Sequence, residues 1–430
     1  MREAWRKYLA VDVPSYTSYP VSAGFAATAD GGTLAYAEVL KAIDPYQLVA
    51  LYLNVPEAIA GASALRTAVD DLIEEIGIVA RVLDGRGVLS AVHLRGAMAS
   101  QLRGHDVQRL LSAVEVQLGL RESTPVAMDL DPTTSNAIQA AHFVKQGIRR
   151  FSVNIEPRAC GGPSLHEKDQ RVADCVADLR AQGASEVTLV VQCDGREASL
   201  CDIGELARDV LEIAPERIAL APDAMSLPGP GGLAAHASRS SIQFALVERA
   251  AAIFELGGYV RIGTDHFAKP GSALAVAHEM GRLRRGPIGF TDDAAVTILG
   301  LGVGGQSEVG ETIISNTSDL AMYQAAVRCG VLPVAGITHL SARQKALGVW
   351  IKDLLCHRRA SLAEYLAIIT KDGGVSSTFS LDDNLRPLLK DGLAVIDKSE
   401  IIIPTEAAPF ARLVAAAFDP EAPPKPPSAA

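Results

Sequence analysis

The chain has 430 residues, 48% of them hydrophobic and 21% charged, with a formal net charge of −10. That length allows two domains and a substantial core, the composition is that of a globular chain, and the acidic balance argues against a nucleic-acid partner. No apolar run reaches the roughly 18 residues of a transmembrane helix. Met1-Arg2-Glu3-Ala4-Trp5-Arg6-Lys7 leads into no secretory apolar stretch, so a cytoplasmic protein with no membrane partner is expected.

Short apolar, often β-branched runs alternate with amphipathic runs through the first 260 residues. Strands are predicted at Leu48–Val55, Leu89–Leu94, Val126–Leu130, Phe151–Ile155, Val187–Cys193, Arg217–Ala221 and Tyr259–Ile262, as buried parallel strands read. Between them, helical spacing predicts Ala64–Leu83, Asp106–Leu118, Ser135–Gln146, Gln170–Gln182, Asp202–Ile213 and Ser240–Leu256. A repeat of roughly 35 residues fits right-handed βαβ units, either a full or partial (β/α) barrel or an open doubly wound sheet. Leu227-Pro228-Gly229-Pro230-Gly231-Gly232-Leu233 reads as a loop. After about residue 285 the pattern turns to helices, with short strands near Leu393–Ile396 and Ile401–Ile403. The expected division is an N-terminal segment 1–45, a barrel 46–270, a C-terminal domain 271–415 and a disordered Pro- and Ala-rich tail 416–430.

Barrel active sites lie at the carboxyl ends of strands. That rule selects Asn54, Glu57, Arg95, Asp129, Asp131, Asn154, Glu156, Asp194 and Asp223, of which Asp131, before Pro132, reads more as a helix cap. Asp265-His266 could orient an imidazole for acid–base work, although neighbours on a strand point to opposite faces and need not touch. Arg282-Leu283-Arg284-Arg285 and Arg358-Arg359 are basic clusters that read first as solvated surface. The cysteines Cys160, Cys175, Cys193, Cys201, Cys329 and Cys356 form no C-x2-C or C-x3-C pair and read as small buried hydrophobes. No Ser-His-Asp, Walker A, Rossmann or H-E-x-x-H pattern is present.

Five ordered segments resemble the oxygen-independent coproporphyrinogen III oxidases, radical S-adenosylmethionine enzymes of haem biosynthesis. They are Tyr16-Thr17-Ser18-Tyr19-Pro20, Leu51-Tyr52-Leu53-Asn54-Val55-Pro56, the run Gly258–Pro270 with its extension to Leu299-Gly300-Leu301-Gly302-Val303, Ile351-Lys352-Asp353-Leu354-Leu355-Cys356, and Lys390-Asp391-Gly392-Leu393. The resemblance implies an α/β fold, a partial (β/α)6 TIM-like radical-SAM-type barrel with a mainly helical C-terminal domain covering its opening. It also implies a [4Fe–4S] cluster and S-adenosylmethionine as the family's cofactors.

The chain departs from the family where the family binds cofactor. The positions of the C-x3-C-x2-C cluster motif read Ala58, Ala62 and Leu65, which cannot ligate iron. The G-G-G-T-P turn becomes Arg95-Gly96-Ala97-Met98-Ala99, the family's acidic position survives as Asp129, and its R-x-S-x-G-x-Q strand becomes Arg150-Phe151-Ser152-Val153-Asn154-Ile155-Glu156. No cofactor is therefore expected. What persists is a set of family-like ligand-binding candidates: Tyr16, Tyr19, Tyr52, Asp129, Arg150, Asp265, His266, Arg282, Arg284 and Arg285. The resemblance makes the arginines of interest because the family's substrate is a tetracarboxylate, which Arg binds bidentately. The leading expectation is a cluster-less, non-catalytic tetrapyrrole-binding or regulatory relative, with a tetrapyrrole or other polycarboxylate as ligand and a haem-pathway protein as partner. The alternatives are a metal-free barrel enzyme and an active coproporphyrinogen III dehydrogenase.

Overall fold

The strands up to residue 221 form where the apolar runs place them, each burying one face under helices, and mostly shorter ones follow. In the computed structural model they are β1 Leu48–Asn54, β2 Val88–Arg95, β3 Val126–Leu130, β4 Arg150–Ile155, β5 Glu186–Gln192, β6 Arg217–Ala221, β7 Val260–Ile262, β8 His266–Ala268, β9 Arg284–Gly286, β10 Gly289–Thr291, β11 Thr297–Gly302, β12 Gln306–Val309, β13 Thr312–Asn316, β14 Val334–His339, β15 Arg359–Ser361, β16 Val395–Asp397 and β17 Glu400–Ile402. The helices are α1 Gly32–Lys41, α2 Ala62–Leu83, α3 Gly104–Leu118, α4 Ala137–Lys145, α5 His166–Ala181, α6 Leu200–Ile213, α7 Gly232–Leu256, α8 Ala273–Glu279, α9 Leu320–Arg328, α10 Ala342–His357, α11 Leu362–Thr370, α12 Leu381–Lys390 and α13 Ala411–Ala417. The structure describes residues 3–9, 11, 13, 14, 16, 17, 19, 20, 32–56, 61–155, 166–192, 200–221, 232–371 and 380–421, with backbone alone at 97, 98, 166–169, 192, 200–202 and 232–241.

Among the described residues the main sheet runs β14-β13-β12-β11-β1-β2-β3-β4-β5-β6-β8-β7. Strands β11 and β1 to β6 are mutually parallel, and both flanks are antiparallel. This is the partial barrel that the family resemblance implies, built from the βαβ crossovers that the periodicity predicts. Side chains alternate across each strand. Leu51, Leu53, Val92, Leu94, Met128, Leu130, Phe151, Val153, Leu189 and Val191 join the helices in the principal apolar core, each full burial contributing about 1.5–3 kcal/mol. Tyr52, His93, Arg95, Asp129, Arg150, Ser152, Asn154, Thr188 and Arg217, at the alternate positions, face the lumen.

Local sequence sets the helix ends. Asn136 caps α4 by accepting from the Ile138 and Gln139 N–H groups, each at 3.1 Å, and Ser341 with Gln344 closes a capping box on α10. One buried polar contact joins α2 to the far side of the sheet. Glu75, fully buried, accepts from Gly302 N at 2.7 Å, Asn316 Nδ2 at 2.6 Å and Tyr323 Oη at 2.7 Å. Burial raises its carboxyl to about 7 despite these donors.

The region after residue 285 differs from its helical expectation. Strands β11 to β14 continue the barrel sheet, because Thr297–Asn316 and, after α9, Val334–His339 are β-branched and interrupted by glycine rather than amphipathic at helical spacing. A second apolar core lies later. It joins α10, Tyr365, Leu385, Leu388, Phe410 and α13 to Trp5, Tyr16 and Tyr19, with Trp350, Tyr365 and Phe418 rings 4.9–5.0 Å apart. The expected tail boundary at 416 also moves: Ala416, Ala417, Phe418 and Asp419 are buried in this core, while 422–430 lie outside the described residues. No helix among the described residues is long and apolar enough to cross a membrane.

Candidate functional site

Residues 57–60, 156–165, 193–199 and 222–231, which follow the carboxyl ends of β1, β4, β5 and β6, lie outside the described residues, and with them Glu57, Ala58, Glu156, Asp194, Asp223 and most of the Pro- and Gly-rich run 227–233. What is described at that end is a polar patch on β1, β2 and β3. Asp129 accepts from His93 Nε2 at 2.8 Å and from the Gly96 N–H at 3.2 Å. Burial alone would raise its carboxyl, but the His93 hydrogen bond and the charges of His93 and Arg95 hold it below the ordinary range. Tyr52 meets His93 edge-on, rings 6.1 Å apart, and carries the Arg95 guanidinium 5.8 Å above its own ring. Gly96, at φ 100°, is the one glycine kept in the rebuilt turn. A Cβ there would fall 2.6 Å from the Val55 carbonyl oxygen, so this position admits no side chain.

Arg150 is placed at the other end. It opens β4, and the amino ends of β4, β5 and β6 gather Arg150, Glu186 and Arg217 around Asp292. Arg150 pairs with Asp292 at 3.1 Å and Arg217 with Glu186 at 2.7 Å, and Arg217 also bonds Asp292. Burial opposes the Asp292 charge, yet the two arginines hold its carboxyl at about 2. Both ends of this cluster are satisfied within the chain, as in a structural ion network at the base of a barrel.

Between the barrel and α10 lies a cavity of about 310 Å³. It brings together Tyr19, Tyr52, Arg284 and Arg285 from the sequence candidates, adding Lys345, Lys352, Asp293 and Glu308. Lys352 and Glu308 stand 3.6 Å apart. The Tyr52 hydroxyl is pushed up to about 12, chiefly by burial and then by Asp293, so it is a neutral hydrogen-bond donor at physiological pH. Behind one wall, Asp265 and His266 do touch, Oδ1 to Nδ1 at 2.8 Å. The turn that precedes β8 lets the two side chains meet, where a regular strand would separate them. Burial opposes the Asp265 charge, but His266, Arg285 and Arg412 hold it far below the carboxylate range. His266 packs edge-on to Phe290, 5.3 Å between rings, and Arg285 lies 4.5 Å over the same ring.

Like Asp129, Arg150, Asp265 and His266, the remaining candidates Arg282 and Tyr16 do not line the cavity. Arg282 is exposed, its guanidinium 2.9 Å from the Met280 Sδ. Tyr16 is fully buried and donates to Asp419 Oδ2 at 3.0 Å, while Tyr19, on the cavity wall, donates to Oδ1 at 2.9 Å. Sequence reasoning passed over His93, Asp292, Glu308, Lys352 and Asp419 as site residues. His93 was within reach, two residues before Arg95 and therefore on the same strand face. The others meet their partners only through long-range packing.

Among the described residues the donor set does not fit an iron–sulfur cluster. Ala62 lies in the first turn of α2 and offers a methyl group; Leu65, 6% exposed, is a member of the principal apolar core. Iron in such clusters is held by thiolates, and the described free cysteines lie elsewhere, Cys175 on α5, Cys329 after α9 and Cys356 on α10. Among the described residues no group of three His, Cys, Asp or Glu side chains could hold a metal ion.

No family model matches the chain. It is 26% identical over 439 residues to the oxygen-independent coproporphyrinogen III oxidase of Bradyrhizobium diazoefficiens, covering 95% of this chain and 94% of the relative. It is 26% identical over 381 residues to that of Cereibacter sphaeroides, covering 81% of each. The structure matches the coproporphyrinogen III oxidase (HemN) of Escherichia coli, described as a radical SAM enzyme, with a TM-score of 0.79 at 21% identity, covering 95% of this chain and 99% of that one. The resemblance read from the motifs thus extends along nearly the whole molecule: the chain has the radical SAM fold of that enzyme and is similar in sequence to the oxygen-independent coproporphyrinogen III oxidases.

Proposed function

We propose that this chain is a cluster-less, non-catalytic relative of these oxidases that binds an anionic tetrapyrrole or similar polycarboxylate. The observation that carries the reading is Leu65, a core side chain of α2 at a position where the family has a cluster cysteine. The family's radical chemistry passes an electron through that cluster, and an isobutyl group cannot replace a thiolate. The cavity supports the second half of the reading, since Tyr19, Tyr52, Arg284 and Arg285 converge on it. At about 310 Å³ it stands at the small end of ligand sites, room for an acidic edge of a macrocycle rather than the whole. A cytoplasmic setting suits the free Cys175, Cys329 and Cys356.

The test is anaerobic iron–sulfur reconstitution beside fluorescence titration with coproporphyrin III. We expect no stoichiometric iron or sulfide and saturable porphyrin binding, weakened about tenfold by Arg284→Ala, as loss of one charge-assisted contact predicts. A reconstituted cluster overturns the first half of the reading, and the absence of saturable binding overturns the second. A metal-free enzyme is the second reading, favoured by the His93–Asp129 pair in the lumen. It requires conversion of coproporphyrinogen by iron-free protein, lost in His93→Gln.

A further inference from the structure

The lumen face of β2 carries a cation, Arg95, that forms no ion pair or hydrogen bond with a carboxylate among the described residues. Val92 and Leu94 belong to the helix-side core, so Arg95 faces inward, in register with Asn54 of β1. Its Nε is buried and has no hydrogen-bond partner among the described residues. The nearby carboxylate is already engaged, because Asp129 accepts from His93 at Oδ1 and from the Gly96 N–H at Oδ2. Tyr52 lies under the guanidinium plane and also lines the cavity, so it stands between that cavity and Arg95.

We propose that Arg95, backed by Tyr52, is a carboxylate-binding subsite at the carboxyl end of the barrel lumen. An arginine fork matches a planar carboxylate with two parallel hydrogen bonds, and the aromatic face beneath it holds the guanidinium in place. The ionised Asp129 close by favours a singly charged carboxylate over a doubly charged phosphate. The position is also the active-site end of a barrel, and it is occupied by a side chain where the resembling family has a glycine turn. A ligand held here and a ligand arm in the cavity would lie on opposite sides of Tyr52. The subsite stands whether or not the ligand is a tetrapyrrole.

Arginine-selective modification with phenylglyoxal, read peptide by peptide by mass spectrometry on the full-length protein, tests this. We expect Arg95 to react in the free protein and to be protected at least fivefold by glutarate, but not by its neutral diamide. Isothermal titration should show glutarate affinity reduced about tenfold in Arg95→Lys, which keeps the charge and loses the fork. An Arg95 that does not react in the free protein already holds an anion from the chain, which overturns the proposal. So does equal reactivity with and without glutarate. Equal protection by inorganic phosphate overturns the carboxylate assignment. The modification experiment needs no variant and stands even if Arg95→Lys fails to fold.

Discussion

Glu75 shows how much one side chain can tie to solution pH. Its carboxyl titrates near 7 in the folded chain against 4.5 for the ordinary group. Between those values the folded state holds a proton that the unfolded state has released. The associated stability is fully present below about pH 4.5 and is lost as pH rises through about 7. The loss between pH 5 and pH 8 should be about 2–3 kcal/mol. Urea denaturation at the two pH values should show that fall in the wild type and a much smaller one in Glu75→Gln, whose amide does not titrate. An equal fall in both proteins would remove Glu75 from the account. Nothing in the sequence marks this residue: a Glu in an amphipathic helix reads as solvated, and its burial follows only from α9 and β11 closing over it.

At the scale of elements, the sequence was most legible where one element is self-contained. Val126–Leu130 and Arg217–Ala221 match β3 and β6 at both ends, because a buried parallel strand is a short apolar run bounded by turn residues. The antiparallel extension β11 to β14 was missed. Glycine interrupts its apolar pattern, and its strands are defined by pairing with one another rather than by local periodicity. Those glycines have a measurable role. Gly302 ends β11 at φ 94°, and a Cβ there would run into the Asn54 carbonyl oxygen of β1. Gly310, at φ 59°, has open space around it. Gly302→Ala should therefore cost about 2 kcal/mol more than Gly310→Ala, because both carry left-handed strain but only one adds a backbone clash. Equal thermal shifts for the two would show that β1 and β11 part easily. The candidate site divides along the same line. His93, Arg95 and Asp129 follow from the strand face they share, whereas the meeting of Arg284 with Lys352 and Glu308 in one cavity required the whole fold.

At the scale of the whole molecule, the second core is closed by a single carboxylate. Asp419 is 3% exposed and accepts from Tyr16, Tyr19 and the Glu421 N–H at 2.9–3.0 Å. Burial, followed by the Asp419 charge, keeps both phenols protonated far above the ordinary tyrosine range. Removing the acceptor leaves two buried hydroxyls unsatisfied, so Asp419→Ala should cost about 2–4 kcal/mol. In a double-mutant cycle the same substitution should cost much less when Tyr16→Phe and Tyr19→Phe are already present. Additive losses would mean that the residue acts through packing alone. Because Tyr19 lines the cavity, loosening this contact should also weaken ligand binding there.

The Tyr16–Asp419 bond spans 403 positions of the chain. During synthesis Tyr16 emerges well before the acceptor that satisfies it. At roughly 5–20 residues per second this interval is about 20–80 s. Throughout that time the barrel can assemble strand by strand, while Trp5, Tyr16 and Tyr19 have no core to enter, since α10 to α13 do not yet exist. The nascent chain thus carries Trp5, Tyr16 and Tyr19 without their core until α13 leaves the ribosome, which makes these aromatic residues, rather than the sheet, the part most in need of a chaperone.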